Sequence, residues 1–395
     1  MATLMPMQAA KLANDIYLVQ KDPGSVKNFF RFNKAILSQE TPSVMEAEVG
    51  FRLINTRDSF GTCVKGTGDF KNDAFLIFRG STLANKCADW ISNARIGLEI
   101  GTSDVPVHIG FNHIFKSMLK EIETFILGLP ETTNVVHCVG HSLGGAVATL
   151  AADWVKKNKN VTTKVYTFGA PRPATHLFAK NFTDKLDKKN IYRVYHESDP
   201  VPMIPVFPFC HSPFSSTGYM IQTSNIIWPF DHMMGKYITS VRKQSWLSLS
   251  PIGDYEPTPA ELEQWLDSGL KVNPQAVSTW KWLNSAICFV VRKVLSALYI
   301  AKLQACFIGA VTIADAIASV LAQGFGGGGP KSGASPAGSN GYLVVRLMRK
   351  ILQVLGWKSD IEEEQLTRSF MSIALQRLIQ KSNAEATRAV MSLMA

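Results

Sequence analysis

The run Gly140-His141-Ser142-Leu143-Gly144 combines residue types and spacing that could do covalent chemistry. It follows the apolar run VVHCV (Val135–Val139) and precedes AVATLAADWVKK, so it reads as strand, tight turn and helix. Such a turn strains the backbone of the serine, and residues larger than glycine on either side would strike the strand or the helix. The hydroxyl is thereby lifted clear while the N-terminal amides of the helix aim at the same point. The chemistry this allows is attack by the Ser142 oxygen on a carbonyl carbon, with the Leu143 N–H as a donor to the developing oxyanion.

A serine needs a base and an orienting carboxylate, which in this strand-turn-helix arrangement follow in the order Ser, Asp or Glu, His. After Ser142 the histidines are His176, His196, His211 and His232. His176 precedes any acid at a strand end, and His196 is tied to the wall of its own loop. His232, in FDHMMGKYI, is the preferred base, and His211 is the alternative. Asp199, in HESDPVP, comes just beyond the strand-like run Ile191–Tyr195 and is braced by Pro200 and Pro202. Glu197 is the fallback acid, and Asp231 reads as a helix N-cap. A second oxyanion donor is expected from the loop after Phe75–Phe78, where Ser81 offers both an N–H and a hydroxyl; Ser81 and Thr82 also suit a helix cap.

These groups must be held by strands, and the runs Phe75–Phe78, Val135–Val139, Lys164–Phe168 and Ile191–Tyr195 supply them. Residues 1–250 alternate such runs with helical stretches, the pattern of an α/β fold with a mostly parallel sheet. Residues 251–395 show no strand alternation and read as a helical region interrupted by a glycine-rich loop at 324–340. Helices are expected at Thr258–Gly269 and roughly over 276–304, 305–323, 342–357 and 361–393. With 46% hydrophobic and 18% charged residues among 395, the chain is not a disordered one. Its six cysteines show neither zinc-cluster nor thiol-redox spacing, and acyl transfer through a serine requires no metal or organic cofactor. The net charge of +10 is spread without dense runs, which favours an anionic lipid surface over nucleic acid as a partner.

Several segments together carry a resemblance. They are FRGS at Phe78–Ser81, Asp89-Trp90, VHIGF at Val107–Phe111, VGHSLGGAVATL at Val139–Leu150, FGAPRP at Phe168–Pro173, DPVP at Asp199–Pro202, and His232. In this order the chain resembles the class 3 lipases, the fungal-lipase-like branch of the α/β-hydrolase fold, over residues 60–240. The resemblance implies Ser142 as nucleophile, Asp199 and His232 as its partners, Ser81 and Leu143 as the oxyanion hole, and acyl esters of glycerolipids as substrates. A fainter similarity to antibacterial lipase effectors of contact-dependent (type VI) secretion implies a protective immunity protein or a secretion partner. The N-terminus lacks a secretory leader, which fits synthesis in the cytoplasm and export by a non-Sec route.

The stretch Pro202–Phe230 departs from the family in its wealth of Phe, Pro and Met. Within it Phe207, Phe209 and Trp228 are candidates for an acyl-chain wall, though each equally suits ordinary core. The segment Leu83–Ile100, with Trp90 and Ile91, is the lid candidate. Leu303–Phe325 has one charge, Asp315, and is long enough to cross a bilayer, but its small residues favour a helix buried in a bundle. Tyr342–Lys358 suits either an anionic membrane surface or a core helix with a solvated basic face. Membrane perturbation by these C-terminal helices is therefore an alternative function.

Overall fold

The computed structural model describes residues 2–20, 22–40, 43–49, 56–81, 97–214, 218–249, 256–295, 312–325 and 340–392. Eleven strands are described: β1 Ser43–Val49, β2 Thr56–Lys65, β3 Asp73–Phe78, β4 Leu98–Ile100, β5 Pro106–His108, β6 Val135–His141, β7 Thr162–Phe168, β8 Ala174–Thr175, β9 Ile191–His196, β10 Phe209–Cys210 and β11 Tyr219–Ile221. Seven form the main sheet in the order β1-β2-β3-β6-β7-β9-β11. β1, β2 and β3 are antiparallel neighbours, and from β3 onward every pairing is parallel. This is the α/β-hydrolase architecture, and each strand-like run of the sequence falls inside one of its strands.

Both faces of this sheet are covered, as a parallel sheet requires. β3 shows it: Ala74, Leu76 and Phe78 enter one core, while Phe75 and Ile77 enter the other. The first core takes in helices Ile109–Ser117, Leu143–Asn158 and His176–Leu186. On the opposite face lie helices Pro6–Asp15 and Met234–Val241. The register aligns Phe78 with Gly140, His141 with Phe168, and Phe168 with Val194. The chain therefore leaves β3, β6 and β9 at one edge, where a parallel α/β sheet assembles its site.

The C-terminal helices Pro259–Asp267, Val277–Leu295, Ile313–Gln323, Gly341–Leu355 and Arg368–Ser392 build a further core that also takes in Val206, Phe207, Phe209 and Ile227. The first of them starts at a capping box in which Thr258 and Glu261 satisfy each other's backbone N–H. Of Leu303–Phe325, residues 303–311 lie outside the described ones. The remainder is an eleven-residue helix capped by Thr312, whose hydroxyl accepts from Asp315 N, with Ile313, Ala314, Ala316, Ile317, Val320 and Leu321 buried. Among the described residues no helix is long and apolar enough to cross a membrane.

In Gly341–Leu355 the apolar stripe is core, and of its cations Lys350 turns inward while Arg349 is exposed and Arg346 partly so. Lys350 is buried and donates to the Ser268 and Leu270 carbonyls, Arg349 donates to Ile361 O, and Arg346 pairs with Asp267. The helix is thus a core helix whose basic face is partly solvated, with Lys350 alone captured by backbone acceptors at the end of helix Pro259–Asp267.

A second, four-stranded sheet, β10-β8-β5-β4, ends β5 at His108, whose Nδ1 accepts from Gly110 N and Phe111 N to cap the next helix. Burial lowers the pKa of this imidazole from 6.5 to about 3. Between those values the unfolded chain binds a proton that the folded one refuses, so stability is fully present above the unfolded pKa and falls as pH drops. His108→Asn, which keeps a capping acceptor, is expected to lose about 2 kcal/mol less than the parent between about pH 6.5 and 5, by denaturant titration.

Candidate active site

The site is built around a residue that the backbone holds under strain. Ser142 sits between β6 and helix Leu143–Asn158 at φ 56°, ψ −132°, a positive-φ conformation that residues with a side chain avoid. Two hydrogen bonds fix the turn: Ser142 N donates to Phe168 O at 2.9 Å and Gly145 N to Ser142 O at 2.9 Å. The flanking glycines are required by contact. A Cβ on Gly140 would lie 2.2 Å from Gly144 O, and one on Gly144 would lie 2.4 Å from both Phe78 O and Arg79 O. Gly144→Ala must push the helix off the end of β3, and is expected to cost about 3 kcal/mol or more, seen as a lowered Tm or failure to fold.

The structure brings Ser142, His232 and Asp199 together, all three fully buried. Ser142 Oγ donates to His232 Nε2 at 2.9 Å, and His232 Nδ1 donates to Asp199 Oδ2 at 2.8 Å. Asp199 leaves β9 through the Glu197-Ser198 turn, and His232 closes the short 3₁₀ turn Pro229–His232. The carboxylate is held from three sides: Oδ2 also accepts from the Tyr237 hydroxyl at 2.7 Å, while Oδ1 accepts from Val201 N at 2.9 Å. Burial, then proximity to that carboxylate, push the Tyr237 phenol well above its ordinary pKa, so it remains a donor.

The loop after β3 places Gly80 and Ser81 beside the nucleophile, close enough that a Cβ on Gly80 would stand 2.8 Å from Ser142 Cβ. Ser81 is buried there, and Leu143 opens the helix whose first-turn amides lack intrahelical acceptors. Arg79 fixes the loop from behind: its guanidinium donates to Ser59 O and Gly80 O and pairs with Asp58. Tyr17 fixes it from the side. Its hydroxyl accepts from Gly80 N at 3.0 Å and faces His141 Nδ1 at 2.8 Å, while His141 Nε2 faces His232 O at 2.9 Å. The consistent assignment is Gly80 N–H to Tyr17, Tyr17 O–H to His141 Nδ1, and His141 Nε2–H to the His232 carbonyl. Burial, then the neighbouring His232, hold the His141 pKa well below its usual value, which keeps this tautomer neutral.

The remaining sequence candidates are placed elsewhere. His211 Nε2 donates to Pro202 O, His196 bridges Asp231 O and Ser240 Oγ, and His176 faces Arg292. Glu197 N pairs with Ile221 O at the end of β11. Asp231 is not an N-cap: it lies inside the 3₁₀ turn, where its carboxylate accepts from the Ser198 hydroxyl. Phe207 and Phe209 are buried in the C-terminal core, so packing accounts for both. Trp228 is half-exposed at 51%. Trp90 and Ile91, with most of the Leu83–Ile100 lid candidate, lie outside the described residues; Leu98–Ile100 is β4. Among the described residues no group of three or more ligating side chains could hold a metal.

Tyr17, Arg79, His141 and Tyr237 were not anticipated as parts of the site. The Arg in FRGS and the His in GHSLG stood in the motifs, while Tyr17 reaches Gly80 from 63 residues away without any local signal. The C-terminal helix also meets this edge. It packs against the turns Val201–Met203 and Pro229–His232, with Ala386, Ala389 and Val390 against Val201 and Ile204.

Fold and geometry together define a serine-hydrolase type of site on an α/β-hydrolase fold. Residues 75–209 match the family model of lipase (class 3). The chain is 31% identical over 168 residues to secreted mono- and diacylglycerol lipase 1 of Fusarium solani, a stretch covering 40% of this chain and 48% of that protein. It is 35% identical over 100 residues to toxin TseL of Vibrio cholerae, covering 25% of this chain and 15% of that one. The triacylglyceride lipase of Rhizomucor miehei overlays with a TM-score of 0.41 at 21% identity, covering 55% of this chain and 78% of that one. The chain thus spans less than half the length of the curated lipases it matches.

Proposed function

We propose that the protein is a carboxylic ester hydrolase that cleaves acyl esters of glycerolipids through a Ser142 acyl-enzyme. The observation that carries this is the buried chain from Ser142 Oγ through His232 to Asp199, with the Gly80-Ser81 loop against the nucleophile. In the first half-reaction His232 Nε2 takes the proton of Ser142 as its oxygen bonds to the ester carbonyl carbon. The oxyanion is received by the N–H groups of Ser81 and Leu143, His232 returns the proton to the departing alcohol, and the acyl group stays on Ser142. Water, deprotonated by the same imidazole, then releases the fatty acid. Asp199 holds the tautomer that makes each transfer possible, and no metal or organic cofactor enters any step.

The lipid class is supported by the class 3 lipase match and by the mono- and diacylglycerol lipases among the fungal relatives. The test is fatty-acid release from phospholipid vesicles, a diacylglycerol emulsion and a soluble short-chain ester. Release from either lipid supports the proposal, while activity confined to the short ester removes lipids as substrates. The likeness to toxin TseL favours a second reading, in which this hydrolase is delivered against a competitor and its producer carries a protective protein. Directing the protein into the periplasm of a test bacterium checks it: growth arrest that requires Ser142 is expected, and normal growth contradicts it.

A further inference from the structure

The turn that delivers His232 to the site begins with three apolar side chains that the fold leaves in water. Ile226 is 40% exposed, Trp228 51% and Phe230 45%, and the Trp228 and Phe230 rings stand 5.4 Å apart. Scattered exposed apolar residues are ordinary, but three at alternate positions of one short segment form a patch. The backbone here is pinned. Ile227 N donates to Gln275 O, Trp228 N donates to Ser198 O, and Ile226 bridges to Ala276. Ile227, between the exposed residues, is buried in the C-terminal core. The alternation thus anchors one side of the segment and holds the other outward.

Along this stretch of the chain cations outnumber carboxylates. Between Gly218 and Leu249 the only carboxylate is Asp231, which is buried and bonded to Ser198, whereas Lys236, Arg242 and Lys243 are all exposed. The loop that pairs with the segment adds an exposed Leu270 and Lys271. Apolar rings beside cations match the boundary layer of an anionic bilayer, where rings sit at headgroup depth and ammonium groups meet phosphate.

We propose that Ile226, Trp228 and Phe230, flanked by Lys236, are the surface on which this protein docks to an anionic lipid bilayer. The inference rests on the reading of the site as a lipid ester hydrolase, since docking there sets the edge bearing His232 against the membrane. It is tested by binding rather than turnover. Full-length protein carrying Ser142→Ala is sedimented with vesicles of phosphatidylglycerol and phosphatidylcholine.

Adding Ile226→Ser and Phe230→Ser is expected to lower partition by roughly tenfold or more. Lys236→Glu alone is expected to lower it about fivefold at low salt, an effect that fades at high salt. Both variants should melt at the Tm of the parent, which reports their folding. Undiminished binding by both variants, or no binding by the parent, overturns the proposal. So does a serine-substituted patch that changes only the oligomeric state, since the surface would then join two copies. Loss of binding by the variants in a protein without ester hydrolysis would keep the docking surface and remove the catalytic reading.

Discussion

Ser142→Ala is expected to lower kcat for ester hydrolysis by roughly five orders of magnitude, with Tm near that of the parent. The substitution removes one oxygen and its hydrogen bond to His232 Nε2. Alanine keeps the Cβ, so the strained φ of 56° and the contacts of Gly140 and Gly144 are unchanged. The cost to stability is therefore that of one buried hydrogen bond, about 1 kcal/mol. A loss of activity with a large fall in Tm would instead mean that the hydroxyl holds the turn. A loss of less than about a hundredfold would place the nucleophile elsewhere.

Asp199→Asn is the second large effect, expected at about three to four orders of magnitude in kcat with little change in KM. The reason lies in the donors around the carboxylate. Oδ2 receives His232 Nδ1–H and the Tyr237 hydroxyl, and Oδ1 receives Val201 N–H. An amide cannot serve both positions. With its oxygen toward His232, its NH2 opposes Val201 N–H and the negative charge that stabilises the imidazolium is gone. With its NH2 toward His232, the imidazole must carry its proton on Nε2, where it can no longer accept from Ser142. Steady-state kinetics on a soluble ester separate this from misfolding, and a decrease below about tenfold would show that the carboxylate does not act through His232.

How much of this was legible in the sequence depends on how local the constraint is. The G-x-S-x-G turn was readable because its sterics act within five residues: Gly140, Gly144 and the strained serine are the same backbone requirement seen three times. Asp199 and His232 were readable by order and by position beyond a strand, although they meet only through the sheet register. Tyr17 and Tyr237 were not, because a hydroxyl that braces a loop from another part of the chain leaves no spacing to read. Phe207 and Phe209 show a different limit: core and acyl wall ask for the same side chains, and only the placement of the C-terminal helices decides between them.

The C-terminal region carried more information than its apolar composition suggested. Leu303–Phe325 read by composition resembles a membrane span, but Thr312-x-x-Asp315 within it is a helix-start signature, and that is where the described helix begins. The basic stripe of Gly341–Leu355 had no such local cue. Lys350 is bonded to carbonyls about eighty residues earlier, and backbone acceptors are invisible in side-chain patterning.

The central claim is that Ser142, activated by His232, is the residue that takes up an acyl group. The most direct measurement is labelling with a long-chain alkyl phosphonate in the presence of lipid vesicles, followed by mass spectrometry of the digested protein. The account predicts one phosphonate per chain on the peptide containing Ser142, and a sharply slower reaction in His232→Ala. Phosphonate on another residue, or labelling of Ser142 at an unchanged rate without His232, would contradict it.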